Sequence, residues 1–308
     1  MNIKKLVFIL IGVVLICFGV GFLSLKLSKN NNFNIISDKT NSNEKYNIID
    51  EKDEVSIEGI KEINIDADIA DIKITSEDRE DVSFHFHGEA SPHIKTSFNI
   101  KKSGNKLIAE TKTKTPKAIF NTSTNTNLYL DVVIPSSYNS NLSIITDLGS
   151  INIDGIKLNK LNIQEDLGDI NIKNTDLKEL EADSSLGKIF VENVSSLKNK
   201  LSTDLGAVNV KSIEGPIEAE TNLGNIELEY DNINWDIDAK SDSGNIKILL
   251  PKNSNFTIDA STDLGNIKNS FPLDTSENSG SKLKGKVGDG KNMITLSVNL
   301  GNIDINSK

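Results

Sequence analysis

A short motif, Asp/Asn-Leu-Gly-x-Ile-x-Ile, recurs through most of the chain and constrains its fold more than any other feature. The motif glycines are Gly149, Gly168, Gly187, Gly206, Gly224, Gly244, Gly265 and Gly301, spaced by 19, 19, 19, 18, 20, 21 and 36 residues. A degenerate copy, Asp68-Ile69-Ala70-Asp71-Ile72-Lys73-Ile74, stands well upstream. Aliphatic residues alternate with period two on both sides of each glycine. Leu142 and Ile144 precede Gly149 and Ile151 and Ile153 follow it; Leu161, Ile163, Ile170 and Ile172 flank Gly168 in the same way. Such alternation describes two half-buried strands that meet at a corner. Glycine permits the positive φ of a sharp corner, and the Asp or Asn two residues earlier can cap it through its side chain.

One such unit cannot bury its apolar face alone, so the copies must stack, adding ladder hydrogen bonds and closing a continuous aliphatic column. The expected fold class is therefore all-β, a parallel β-solenoid (β-helix-like) with rungs of ~19 residues, favoured over a meandering sandwich of the same strands. The repeat domain is placed at 55–308. Pro135 and Pro251 each follow an apolar strand and each precede a motif glycine by the same interval, and each ends its strand by removing a ladder donor. Polar stretches near 112–127 and 270–292 read as loop or hairpin excursions.

Upstream of the repeat, Leu6–Leu25 carries no charge. At about 1.5 Å per residue a helix of that length spans the roughly 30 Å hydrocarbon core of a bilayer. No A-x-A-like site stands near Leu25, and Ile16 before Cys17 departs from a lipoprotein box, so the segment reads as an uncleaved signal-anchor rather than a removed leader. Lys4 and Lys5 on one side balance Lys26 and Lys29 on the other, and the N-terminal amine tilts the orientation toward a cytoplasmic N-terminus. The resulting organisation is a cytoplasmic tail (1–5), a transmembrane anchor in the lipid bilayer (6–25), a polar stalk (26–54) and an extracytoplasmic repeat domain.

The strand-proline segments, the Asp-Leu-Gly-x-Ile rungs and the terminal Gly285-Lys-Val-Gly288-Asp-Gly290, Ile294-Thr-Leu296 and Leu300-Gly301-Asn-Ile303-Asp-Ile305 resemble the bacterial putative-adhesin family of β-strand-repeat proteins, long catalogued as a domain of unknown function. The resemblance covers roughly Glu54 to Ile305, and with the N-terminal anchor the whole chain looks LiaG-like. It implies an envelope-associated β-solenoid without an assigned reaction.

Several chemistries fit the residues poorly. The formal charge is −10, and because residues 1–30 carry four lysines and no acid, the remainder sits near −14 (−10 − 4). With Arg79 the sole arginine, an acidic ectodomain does not suit a phosphate backbone, so no nucleic-acid partner is expected. A lone Cys17 gives neither a disulfide framework nor a thiolate zinc site. His85 and His87, two apart on a strand, could bite a metal, but they read as the solvent face opposite Phe84 and Phe86. Asp147, Asp166, Ser185, Asp204, Asn222, Asp242, Asp263 and Asn299 form a corner column in which Ser and Asn interrupt the acids, which argues for capping rather than calcium binding. Gly285 to Gly290 matches no phosphate loop and reads as a turn. No catalytic, metal or cofactor residues are therefore assigned and no small-molecule cofactor is expected; the site residues are the eight corner glycines.

The expected function is a non-catalytic binding or structural role at the cell envelope, with an envelope component or membrane protein as partner. Two alternatives stay open: an accessory or regulatory protein in envelope-stress signalling, and, more remotely, a polysaccharide-acting β-helix enzyme.

Overall fold

The computed structural model describes residues 46–114 and 126–308. The expected tail, the anchor Leu6–Leu25 and the stalk up to residue 45 lie outside the described residues, as does 115–125 within the first polar excursion. Everything described is strand, turn or loop, and no helix among the described residues is long and apolar enough to cross a membrane.

Each rung is a strand, a corner and a second strand. Asn141–Leu148 runs to Gly149 and continues as Ile151–Asp154; Lys198–Leu205 runs to Gly206 and continues as Val208–Glu214. Successive rungs pair in parallel one repeat apart, so Leu161 lies beside Leu142 and Leu180, and Ile170 beside Ile151 and Ile189. The strands before the corners form one face and the strands after them the other. Between the faces runs the core, with Leu142, Ile144, Ile151, Ile153, Ile170, Ile172, Ile189 and Val191 all buried. The alternation read in the sequence is therefore the alternation of burial. Along the core, mostly aliphatic side chains and the buried ring of Tyr230 fill the interior, while phenylalanines pack at its ends: Phe84 and Phe86 on Phe98 at one, and Phe256 on Phe271 at the other.

Rung order departs from chain order at both ends. The Gly301 rung, Asn292–Leu300 with Ile303–Ser307, is inserted between the Gly244 and Gly265 rungs. At the other end the Ala70 rung, Glu62–Ile69 with Asp71–Glu77, sits between the Gly149 rung and the strands Lys106–Lys114 and Thr126–Pro135. The 36-residue gap between Gly265 and Gly301 is thus an outward excursion and return. It carries an antiparallel hairpin, Asp274–Asn278 with Lys282–Val287, laid against the last strand, Phe256–Leu264. Gly285 lies inside that hairpin, and the turn of the Gly-rich segment is confined to Gly288–Gly290.

The stalk boundary requires correction. Asn47–Ser56, whose first eight residues the expected stalk (26–54) included because of their polarity, is a strand antiparallel to Asp81–Ala90. Nearly all its side chains are exposed, so no apolar alternation marks it; backbone pairing alone defines it. As an outer strand it carries a dense set of charges, and the outer strand Lys95–Ser103 is similarly rich in lysine, which discourages pairing with another chain's edge.

Candidate functional site

The eight motif glycines stack into one column, with Ala70 in line beside Gly149. Close approach, more than backbone freedom, makes them glycine. A Cβ on Gly187 would lie 1.5 Å from the carbonyl oxygen of Gly168, and one on Gly224 would lie 1.5 Å from that of Gly206. Among the eight corners, positive φ is confined to Gly149, Gly244 and Gly301. Ala70 can keep its methyl because it looks toward the Lys106–Lys114 and Thr126–Pro135 strands, not toward a stacked glycine corner among the described residues.

Capping also differs from the sequence expectation. The residue after the corner, not the one two before it, takes the next backbone N–H: Asp71 Oδ1 accepts from Ser150 N (2.8 Å), Asp169 Oδ1 from Lys188 N (2.8 Å) and Asn302 Oδ1 from Asn266 N (3.0 Å). The column two before the corner bonds within itself instead, Asn222 Nδ2 donating to Asp204 (2.7 Å) and Asn299 Nδ2 to Asp242 (3.0 Å). Stacking the Ala70 rung beside the Gly149 rung also brings Asp68, Asp147 and Asp166 into adjacent positions, three acids where the sequence suggested at most two. Asp68 is neutralised locally: Lys112 Nζ donates to it at 2.9 Å and to Asp66 at 3.0 Å, and these bonds hold the Lys112 ammonium above its ordinary pKa.

The outward product of the corner is a ridge of leucine. Carried on to the glycine, period-two counting would turn the motif leucine inward, but the chain swings out two residues before the corner and leaves it exposed. Leu148, Leu167, Leu186, Leu205 and Leu223 are in register, then half-buried Ser243, then Leu300 and Leu264, and the seven leucines have exposures from 44% to 69%. At about 4.8 Å per rung the line from Ile69 to Leu264 runs roughly 40 Å. A shallow trough of about 810 Å³ follows it, bordered by Asp147, Asp166 and Asp204.

At the far end of each rung lies a second corner column that the sequence reading missed. Gly155, Asn174, Asn193 and Ser212 all have positive φ, from 49° to 68°, and Asp231 continues the series. Asn174 Nδ2 donates to Asp154 (2.8 Å), Asn193 Nδ2 donates to Asn174 (2.7 Å), and Ser212 bonds Asp231. The column floors a polar groove of about 580 Å³ that ends at half-buried Trp235. Its signal was present, since these residues recur at the rung period and asparagine tolerates the left-handed region better than most.

A family model described as Toastrack DUF4097 matches residues 60–306, the whole stack of corners. The chain belongs to this family. Solved structures similar to this Toastrack chain include a putative cell adhesion protein from Clostridium sporogenes (14% identity, TM-score 0.33), covering 85% of this chain and 100% of that one. A putative adhesin from Bacteroides fragilis is 14% identical with TM-score 0.48, covering 85% and 98%, and one from Parabacteroides merdae is 11% identical with TM-score 0.41, covering 83% and 95%. No curated protein matches. What distinguishes the Toastrack stack chemically is its surface, an apolar line bordered by acids on one side and largely neutral capping residues on the other.

Proposed function

We propose that this Toastrack chain is a non-catalytic binding protein of the cell envelope that meets its partner along the leucine ridge. In this reading residues 6–25 anchor it in the lipid bilayer, the N-terminus is cytoplasmic, and the stack projects outside the membrane. The observation that carries the proposal is the ridge itself. Soluble proteins rarely leave a contiguous apolar line uncovered, and such lines mark contact surfaces. The ridge leucines contribute little to the core, so packing does not account for their exposure. Charge selects the partner's chemistry: the bordering acids favour an envelope protein presenting an apolar stripe flanked by Lys or Arg.

The test places a photo-crosslinking residue at Leu186, and separately at exposed Glu218 on a strand face, in the full-length protein in its native membrane. A hetero-adduct is expected at Leu186, lost with Leu167→Gln and Leu205→Gln and weakened by high salt, with none at Glu218. Equal adducts at both positions, or none at Leu186, would refute the ridge as the contact surface. An adduct of twice the chain mass would assign the ridge to self-association and overturn the basic partner.

A further inference from the structure

Strand Asp81–Ala90 buries Phe84 and Phe86 completely, which turns His85 and His87 to its outer face. Their rings stack 4.3 Å apart at 26°. The sequence showed these two imidazoles and nothing near them, but the fold supplies carboxylates from both neighbouring strands. Thr126–Pro135 brings Asp131, whose Oδ2 lies 3.0 Å from His87 Nε2, and Asn47–Ser56 brings Asp50, whose Oδ1 lies 2.6 Å from His85 Nε2. One ligand atom each from His85, His87 and Asp131 falls within 4.8 Å of the others. The Tyr129 ring stacks on His87 at 5.3 Å and helps fix its plane.

We propose that His85, His87 and Asp131 form a binding site for a divalent transition-metal ion, with Zn²⁺ the best fit and Asp50 at its rim. Two imidazoles and a carboxylate suit zinc, whereas calcium and magnesium require a shell of oxygen ligands. Donors around one zinc stand about 3.3 Å apart, given metal–ligand distances of about 2.0–2.1 Å. Closing from the present spacing takes side-chain rotation only, because antiparallel pairing on both sides holds the backbone. The ion would take the place of the proton between His87 and Asp131, and exposed Asp50 would be hydrated where it gave up the His85 bond. Lys52, 3.8 Å from Asp50, opposes a cation there, and its exposed side chain is free to swing away. Three protein donors leave a coordination position open to solvent, and the bound ion would staple strands 44 residues apart in sequence at the end of the stack.

Metal-free full-length protein in detergent, titrated with ZnCl₂ by calorimetry and by thermal unfolding, tests the site. One zinc per chain and a rise in melting temperature are expected. His87→Ala and the shape-conserving Asp131→Asn should each weaken binding about tenfold or more. His93→Ala, at an exposed loop histidine, should bind as the parent does, and CaCl₂ should leave the melting temperature unchanged. Absence of stoichiometric zinc binding, or equal affinity in the parent and in Asp131→Asn, would overturn the proposal.

Discussion

A methyl group at residue 187 would sit 1.5 Å from the Gly168 carbonyl oxygen, and backbone on both sides prevents either from yielding. Gly187→Ala should therefore cost about 3 kcal/mol or more in denaturant unfolding, far beyond the ~1 kcal/mol typical of a substitution. At four of the eight corners the residue three before the glycine is a hydroxyl that bonds across to the neighbouring rung. Thr203, Thr221, Ser241 and Thr262 donate their hydroxyls to the glycine carbonyl one rung away, at 2.8–3.3 Å. Glu165 takes that place in the Gly168 rung. Its Oε1 lies 3.0 Å from where a Gly168 Cβ would be, as Thr203 Oγ1 does from Gly206, yet Oε1 has no hydrogen-bond partner. Protonated, it can donate to the Gly149 carbonyl as Thr203 donates to that of Gly187. Burial raises its pKa from 4.5 to about 7, against the opposing bond from Ser184 (2.7 Å). The folded state thus holds the proton more tightly than the unfolded chain, so the associated stability is complete below pH ~4.5 and is lost as pH rises through about 7. Stability should fall by about 2 kcal/mol between pH 5 and 8, and Glu165→Gln, whose amide can donate at any pH, should flatten that slope. An unchanged slope in the variant would show that Glu165 is ionised throughout.

Within a rung the face of each residue decides its cost. Ile170 and Ile172 point into the core, while Asn171 between them joins an outer amide ladder through Asn152 at 3.2 Å. Ile170→Asp should cost several kcal/mol, because a carboxylate there has no partner in an aliphatic column, and should unzip neighbouring rungs. Asn171→Asp should cost under about 1 kcal/mol. Equal sensitivity in denaturant melts would contradict the strand assignment. This alternation was fully legible in the sequence, because a buried face leaves a period that composition cannot hide. The leucine's outward turn was not, since it depends on where the chain leaves the ladder. Asn47–Ser56 was missed because an exposed outer strand carries no apolar signal.

Across the whole molecule, sequence distance and spatial order part company at the two ends. The period from Gly149 to Gly244 showed which rungs follow one another, but a long gap does not reveal whether the returning strand lands outside or inside the preceding rung. The Gly301 rung lands inside, and this completes both the hydrophobic column and the ridge, since Leu300 fills the line between Ser243 and Leu264. The carboxylates around His85 and His87 were invisible for the same reason, as they arrive from strands far away in the chain. That the corners form one column with their leucines in line is tested most directly by cysteine cross-linking at exposed ridge positions in a Cys17→Ser background. Neighbouring residues on adjacent rungs lie within disulfide reach, about 4.4–6.8 Å between Cα atoms, whereas residues two rungs apart do not. The Ser243→Cys/Leu300→Cys and Leu264→Cys/Leu300→Cys pairs should oxidise readily and Ser243→Cys/Leu264→Cys should not. Efficient closure of the Ser243–Leu264 pair, with neither Leu300 pair closing, would contradict the inserted rung and the continuous ridge built on it.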